Sequence, residues 1–512
     1  MKKLILLVSL LSFSMHSQNV TVNSGRSFTI QSTSSLTVGG NFTNTAGTVT
    51  LNSSSDEFSS LLVSGASSGD ITYNRYVNIV GTGDWDLVGA PVSGMAFSSL
   101  ITDANIATNG SGVYAVGAYD NSLDTWTNAT NATTGDLALG QGYQMATTNG
   151  GTLSFTGAIA NGDQSVIINN NNAANSGSGR RWNLIANPFA SYLHGNTNAD
   201  GTNNFLTVNT AAIDDNFEAI YGWKADGTGY EIYNNSSTTT YIAPGQGFFV
   251  AAAGSGADQT ISFTQAMQTV TGADDFISGR IMNPTSSEFL LKLYEDEILI
   301  DNTRFYFDND LTLGLDPGYD AGHFNQDASL MSRLVEEDEG VGFVINAMGS
   351  DALGGVSIPL EVNQPSNVPF RISLEDSSIA PDIEVQLEDR LLETLTLLND
   401  EDFTLTAEDD LIGIGRFYLH LGNVTLGVND PEDSYVRVYK PNNSDYIAIE
   451  GLVNIQKARI KLYNLIGQEI IHKVLSNNQT NYRISTQGIP QGVYVIKLQF
   501  ENSKITKKLI IN

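Results

Sequence analysis

Trp85-Asp86-Leu87-Val88-Gly89-Ala90-Pro91 is followed, 97 positions later, by Trp182-Asn183-Leu184-Ile185-Ala186-Asn187-Pro188. Each stretch opens on a Trp, runs through apolar residues and closes on Pro, which cannot donate to a central ladder and so marks a strand end. Other landmarks recur in the same order. Leu139-Gly140-Gln141-Gly142-Tyr143 returns as Pro244-Gly245-Gln246-Gly247-Phe248, and Leu153-Ser154-Phe155 as Ile261-Ser262-Phe263. Between them, Val113-Tyr114 with Trp126 answers Ile220-Tyr221 with Trp223. Matched landmarks in one order point to duplication, with unit A over 75–160 and unit B over 161–272. Neither unit sustains a 3.6-residue apolar period, so both read as strands. In the structural reading, Trp85 and Trp182 plug a core, while Gln141 and Gln246 satisfy backbone groups from tight glycine turns. The functional reading puts the aromatics on a glycan-binding platform. Matched aromatics within repeats usually serve the repeated fold, which favours the core role.

Outward from this pair, residues 18–74 alternate apolar and polar positions in short bursts: Val20 and Val22, Phe28 and Ile30, Leu36 and Val38, Val49 and Leu51, Leu61 and Val63, Ile71 and Tyr73. Ser, Gly, Asn and Thr separate them, as in short strands with one wet face. A small solenoid and a ribbon of hairpins both fit. Residues 273–426 carry most of the acidity and keep the alternation, as in Phe289-Leu290-Leu291-Lys292-Leu293 and Arg416-Phe417-Tyr418-Leu419-His420-Leu421. Short strands separated by Gly, Asn, Asp and Pro predict an acidic antiparallel sandwich. A helical turn is expected within Asp327 to Glu339. A linker at 427–433 follows.

Residues 434–512 differ in sign. They carry a net charge of +7, against -37 for the rest of the chain. Clean alternation, read as about seven strands, predicts an independent sandwich. Ile460-Lys461-Leu462-Tyr463-Asn464-Leu465-Ile466-Gly467-Gln468, Ile489-Pro490-Gln491-Gly492-Val493-Tyr494-Val495-Ile496 and the closing Lys507-Lys508-Leu509-Ile510-Ile511 resemble the type A C-terminal sorting domain of the type IX secretion system. The resemblance covers the whole of 434–512, with Tyr463, Gly467, Gly492, Tyr494, Lys507 and Lys508 as its signature positions. One departure is Tyr439-Lys440-Pro441-Asn442-Asn443, where the family usually has a Tyr-Pro-Asn-Pro-like turn. The resemblance implies passage to the periplasm, recognition of this domain by an outer-membrane translocon, cleavage in the preceding linker and, for many members, attachment to an anionic surface polysaccharide. Read physically, Lys504, Lys507 and Lys508 form a solvated edge that resists strand-on-strand aggregation.

The chain start agrees with export. Met1-Lys2-Lys3, the apolar run Leu4 to Leu11, and Ser14, Ser17 and Gln18 have the three parts of a signal peptide, predicted as 1–17. The run is too short for a spanning helix, and no later segment is apolar enough to span. The 512 residues contain no cysteine, which excludes disulfides, thiolate metal sites, cysteine nucleophiles and a lipid anchor. A net charge of -30 argues against a nucleic-acid partner, because phosphate contacts need Lys and Arg.

No catalytic motif stands out. His194, His323, His420 and His472 are scattered singly, without the paired spacing of a zinc site. Gly65-Ala66-Ser67-Ser68-Gly69 spells G-x-S-x-G, but nothing helical follows it to make a nucleophile elbow. Asp308, Asp310, Asp316 and Asp320 could offer oxygen donors to calcium or form a solvated acidic loop. No other cofactor is expected. The fold class is therefore all-β, with several antiparallel sandwich-like domains in series and a C-terminal seven-stranded Ig-like sandwich. The function expected is that of an exported surface or extracellular protein with a non-catalytic adhesin or binding body. The alternatives are a secreted polysaccharide hydrolase using a carboxylate pair and a structural spacer.

Overall fold

The computed structural model describes residues 14–81, 85–171, 178–224, 229–254, 257–272, 287–422, 436–440, 444–452, 457–475, 481–500 and 503–511. Residues 1–13 of the predicted export signal, the predicted linker 427–433 and the turn at Pro441-Asn442-Asn443 lie outside these. The chain divides into two compact units, Met1–Ile281 and Met282–Asn512.

Strands dominate both units, as expected. The N-terminal part pairs its strands in parallel, and of the two forms open to it, the structure takes the solenoid. Strands β1 (Ser14–Ser17), β2 (Val20–Asn23) and β3 (Ser27–Ile30) make a first coil; β4 (Ser35–Val38), β5 (Phe42–Thr45) and β6 (Thr48–Asn52) a second; and β7 (Ser60–Val63), β8 (Ser67–Ser68) and β9 (Asp70–Val77) a third. Successive coils stack as three parallel sheets, β1-β4-β7, β2-β5-β8 and β3-β6-β9. Register puts like on like: Leu36 on Leu61, Val38 on Val63, and Ile30 on Leu51 on Tyr73. One corner is an amide ladder, in which Asn19 Oδ1 accepts from Asn41 N at 2.8 Å and Asn41 Oδ1 from Ala66 N at 2.9 Å. Gly40 and Gly65 complete that corner, because a Cβ on either would fall on the backbone of the preceding coil. The first strand of the stack, β1, lies within the stretch read as the export signal.

β9 pairs in parallel with β6 on one side and antiparallel with β14 (Gly151–Ala158) on the other, so solenoid and unit A share one sheet. They also share one core, which includes Val22, Leu51, Leu61, Tyr73, Val88, Met145 and Phe155. Unit A adds β10 (Asp86–Val88), β11 (Val113–Asp120), β12 (Thr125–Thr130) and β13 (Tyr143–Met145), ordered β10-β13-β11-β12. Unit B contains β15 (Gln164–Asn169), β16 (Trp182–Ala186), β17 (Tyr192–His194), β18 (Ile220–Trp223), β19 (Tyr230–Tyr233), β20 (Tyr241–Ile242), β21 (Gly247–Ala251) and β22 (Asp258–Phe263). Its main sheet runs β16-β21-β18-β19, in which the strands of Leu184, Phe248 and Tyr221 stand in the same order as those of Leu87, Tyr143 and Tyr114 in unit A.

The two Gly-Gln-Gly turns cross over between these sheets. Gly142 N donates to Leu184 O at 3.1 Å, Ala186 N to Gly140 O at 2.8 Å, and Gln141 Nε2 to Leu184 O at 2.9 Å. In the other direction, Gly89 N donates to Gly245 O at 2.9 Å and Val88 bridges Gln246. Glycine is needed for this approach: a Cβ on Gly142 would lie 2.6 Å from Leu184 Cγ, and one on Gly247 2.6 Å from the Leu87 carbonyl carbon.

In the second unit, eleven strands between Ser287 and Leu421 form one mainly antiparallel sheet. It curls over an apolar core, so that Phe403 on one terminal strand reaches Phe417, two strands from the other end, at 5.7 Å between ring centroids. Where a helical turn was expected within Asp327 to Glu339, the chain instead forms the strand Leu330–Ser332. Its three buried residues pair with Leu360–Val362, and sheet burial overrides the local preference. Among the described residues the C-terminal domain has seven strands in two sheets, one built from Arg437–Tyr439, Tyr446–Glu450 and Tyr482–Ser485, the other from Ala458–Asn464, Glu469–Leu475, Gly492–Phe500 and Ser503–Ile511.

Candidate functional site

In the C-terminal domain the signature residues do distinct jobs. Tyr463, on Ala458–Asn464, has the Lys497 ammonium 5.2 Å from its ring centroid. Gly467 holds φ at +83° in the turn to the next strand, a conformation that favours glycine. Asn464 closes that turn, its Oδ1 accepting from Gln468 N at 2.9 Å. The geometry leaves Leu465 and Ile466 at the tip, 74% and 87% exposed. Tyr494 is buried and its hydroxyl donates to Pro490 O at 2.7 Å. Gly492 pairs with Ile511, Lys507 with Ile496 and Lys508 with Val495. The strand Ser503–Ile511 is an edge, and its Lys504, Lys507 and Lys508 are exposed, which suits the anti-aggregation reading.

Residues 438–512 match the family described as the secretion system C-terminal sorting domain. With the seven-stranded sandwich, this makes the protein a type IX secretion substrate, secreted or displayed at the cell surface. Residues 7–420 match the family described as a domain of unknown function, DUF8693. The chain belongs to the DUF8693 family. No curated protein matches it.

In the DUF8693 body the landmark residues divide by burial. Trp182 is 1% exposed, edge-on to Tyr221 at 4.6 Å and Phe217 at 5.5 Å. Trp85 is only partly buried, against a small cluster of Ala107, Ala115 and Ala146. Gln246 is buried and its Oε1 accepts from Ala243 N at 2.7 Å, whereas Gln141 spends its amide on the opposite unit.

A second set of aromatics, half-buried apart from the exposed Trp126, gathers around the buried Phe249. Tyr119 on β11 faces Trp126 on β12, and Trp223 on β18 faces Tyr230 on β19, both as cross-strand partners. Their ring centroids are 5.2 and 5.0 Å apart. Both pairs converge on Phe249 of β21, with Tyr119, Trp126 and Tyr230 at 5.2, 6.1 and 5.9 Å from it. Trp126 is 39% exposed. Tyr119 donates to Asp124 Oδ1 at 2.7 Å; burial first, then that hydrogen bond, holds its phenol well above the usual range. Beside this shelf lies an amide network in which Asn121 Nδ2 donates to Asn169 O and Asn183 Oδ1 at 2.8 and 3.1 Å. Flat rings flanked by amides and carboxylates offer both stacking and hydrogen bonding to a polar ring. The sequence paired Trp126 with Trp223 as landmarks, but by strand order Trp223 on β18 answers Tyr119 on β11 and Tyr230 on β19 answers Trp126 on β12, and no sequence signal brought Phe249 to them.

Several carboxylates of the second unit are committed to structure. Arg416 forks onto Asp389 at 2.9 and 2.7 Å, Arg304 reaches Glu288 at 3.1 Å, and Lys292 reaches Glu375 at 2.6 Å. His420 is buried, its Nε2 2.9 Å from Glu388 Oε2, which Arg390 also reaches at 3.2 Å. Burial raises the Glu388 pKa, but the His420 hydrogen bond and the Arg390 charge outweigh it and hold the carboxyl below its usual range. A shallow groove lined by Tyr294, Asp296, Glu297 and Arg371 has Glu297 tied to Arg371 at 2.9 Å.

Asp308, Asp310, Asp316 and Asp320 do not converge as a cage. Among the described residues no three His, Asp or Glu side chains are grouped to hold a metal. Asp320 is fully buried and its two oxygens accept from Ala347 N and Asp316 N, each at 2.7 Å. Asp316 in turn accepts from Thr312 N at 2.7 Å. These oxygens staple a loop. Burial pushes the Asp320 carboxyl up to about 8, against the pull of its two backbone donors. Ser67, the centre of the G-x-S-x-G match, lies on the solenoid strand β8, and its Oγ donates to Ile159 O at 3.3 Å.

Proposed function

We propose that the exported protein is a non-catalytic adhesin whose body binds polysaccharide on the Tyr119, Trp126, Trp223 and Tyr230 shelf, and whose sorting domain is read by the outer-membrane translocon. The observation that carries the binding reading is the convergence of two cross-strand aromatic pairs on Phe249 with Trp126 left open to solvent. Sugar rings stack on such faces through their C–H edges while their hydroxyls take amide and carboxylate partners. The equal strand order of the two four-stranded sheets supports reading units A and B as copies of one ancestral unit, with the shelf formed where they join.

The test is a binding and turnover screen of the exported body against insoluble and soluble polysaccharides. Retention without product release supports the adhesin. Product release instead supports a hydrolase using a carboxylate pair, and neither retention nor product leaves a spacer. Deleting 434–512 separates the sorting claim from the binding claim: the truncated chain is expected to stay in the periplasm and still bind.

A further inference from the structure

Within the second unit, the sorting domain meets the acidic sheet around one arginine. Arg333 is 1% exposed, directly after the strand Leu330–Ser332. Its Nε and Nη2 donate to Asp338 Oδ1 at 3.2 and 3.1 Å, and its Nη1 to Glu361 Oε2 at 3.0 Å. A third carboxylate comes from the sorting domain: Glu450 Oε2 lies 3.5 Å from Arg333 Nη1. The Tyr439 ring faces the same guanidinium, 5.4 Å away at its centroid, and its hydroxyl donates to Glu450 Oε1 at 2.9 Å. Two neighbouring strands of the sorting domain thus send a phenol and a carboxylate into a cradle built by the body.

The contact extends on both sides. Arg437 Nη2 donates to Val335 O at 3.1 Å. Gly340, at φ +90°, leaves room for Tyr439, since a Cβ there would come within 1.9 Å of its ring. Further along, Asn481 Nδ2 donates to Ile412 O at 2.7 Å, and a Cβ on Gly415 would lie 2.5 Å from Gly451 Cα. Close backbone approach of this kind marks a fitted join.

Electrostatics couple the two sides. Burial disfavours charge on Arg333, but Asp338, Tyr439, Glu361 and Glu450 more than offset it. Glu450 is pushed up by burial while Arg333 pulls it down. Lys507 adds positive charge from the sorting domain, within reach of the charges of Asp338 and Glu339. Withdrawing either domain would leave part of this cluster without its counter-charge, which is costly for buried groups.

We propose that the Arg333, Asp338, Glu361, Glu450 and Tyr439 cluster is a non-covalent latch that keeps the sorting domain docked on the acidic sheet after the linker is cut. A cut in the linker would then not by itself release the domain. This holds whatever the body binds.

A sequence-specific protease site placed within 427–433 of the full chain tests it. After cutting, both fragments are expected to elute together from a size-exclusion column at the volume of the uncut chain. Glu450→Gln keeps the side-chain volume and an acceptor for Tyr439 but removes the charge, and should release at least ten-fold more of the free domain. Glu450→Ala with Arg437→Ala should release nearly all of it, while Lys473→Ala on an exposed strand should release none. Circular dichroism and melting of the uncut variants separate an undocked domain from an unfolded one. Separation of the unmutated fragments on cutting overturns the latch. So does full co-elution of both Glu450 variants, because docking would then owe nothing to the cluster.

Discussion

Gly89 and Ala186 face each other across the join of the two landmark sheets so closely that a Cβ on Gly89 would sit 2.3 Å from that of Ala186 and 2.7 Å from Gln141 O. Both neighbours are held by the crossed Gly-Gln-Gly turns, so neither can yield cheaply. Gly89→Ala should therefore destabilise the first unit by about 1–3 kcal/mol, the usual cost of overpacking. Gly201→Ala, where a Cβ meets nothing within 4 Å, should leave the melting temperature unchanged. Thermal or denaturant melts of the two variants check the contrast.

The two classes of aromatic should separate in mutagenesis. Trp182→Ala empties a buried site and should cost about 3–5 kcal/mol. Trp126→Ala removes an exposed ring and should cost under about 1 kcal/mol while abolishing retention on the polysaccharide that binds the unmutated body. A Trp126→Ala protein that binds as well as its parent removes the shelf from the proposal.

Asp320 gives the acidic unit a pH signature. Its folded pKa of about 8 lies above the ordinary 3.8, so the folded state holds a proton that the unfolded chain releases. The stability this contributes is fully present below about pH 3.8 and is lost as pH rises through about 8, with a slope approaching 1.4 kcal/mol per pH unit between. Carboxylates held low, such as Glu388, act in the opposite sense at lower pH. The informative quantity is thus the difference between the parent and Asp320→Asn, measured by melts from pH 4 to 9. It should shrink as the pH rises.

At the tip of the sorting domain, Leu465→Ser with Ile466→Ser alters two side chains that face solvent. Melting should be unaffected, and surface display should fall if the tip is read during export. Fractionation of cells producing the variant checks it, with Gly467→Val, which strains a backbone at φ +83°, expected to lower stability as well.

Much of this was legible in the chain. Alternation located the strands of the sorting domain that bury one face, as Ile460 and Leu462 or Ile496 and Leu498 do, but not Glu469–Leu475, where Leu475 alone is buried. The same signal could not choose between stacked coils and hairpins for 18–74, since both bury every second residue. Register decided it, and register follows from the asparagine corner at Asn19 and Asn41, which no local pattern announces. The Gly-Gln-Gly turns were visible as tight turns that spend an amide on backbone. That Gln141 spends it on Leu184, 43 positions away in the opposite unit, is a tertiary fact. The acidic loop left calcium binding and a solvated loop both open, and that Asp316 and Asp320 accept from backbone N–H groups is likewise a tertiary fact. Arg333 carried no signal at all, because its partners Asp338, Glu361 and Glu450 come from three separate segments.

The shared sheet through β9 has a mechanical consequence. Eight register pairs tie β9 to β14 on one side, and β6 and β3 continue the ladder on the other. Tension applied to the N-terminal coils of a protein displayed at a surface would pass through rows of backbone hydrogen bonds sheared together, without a hinge between the coils and unit A. The solenoid is thus a stiff handle on the same lever as the aromatic shelf.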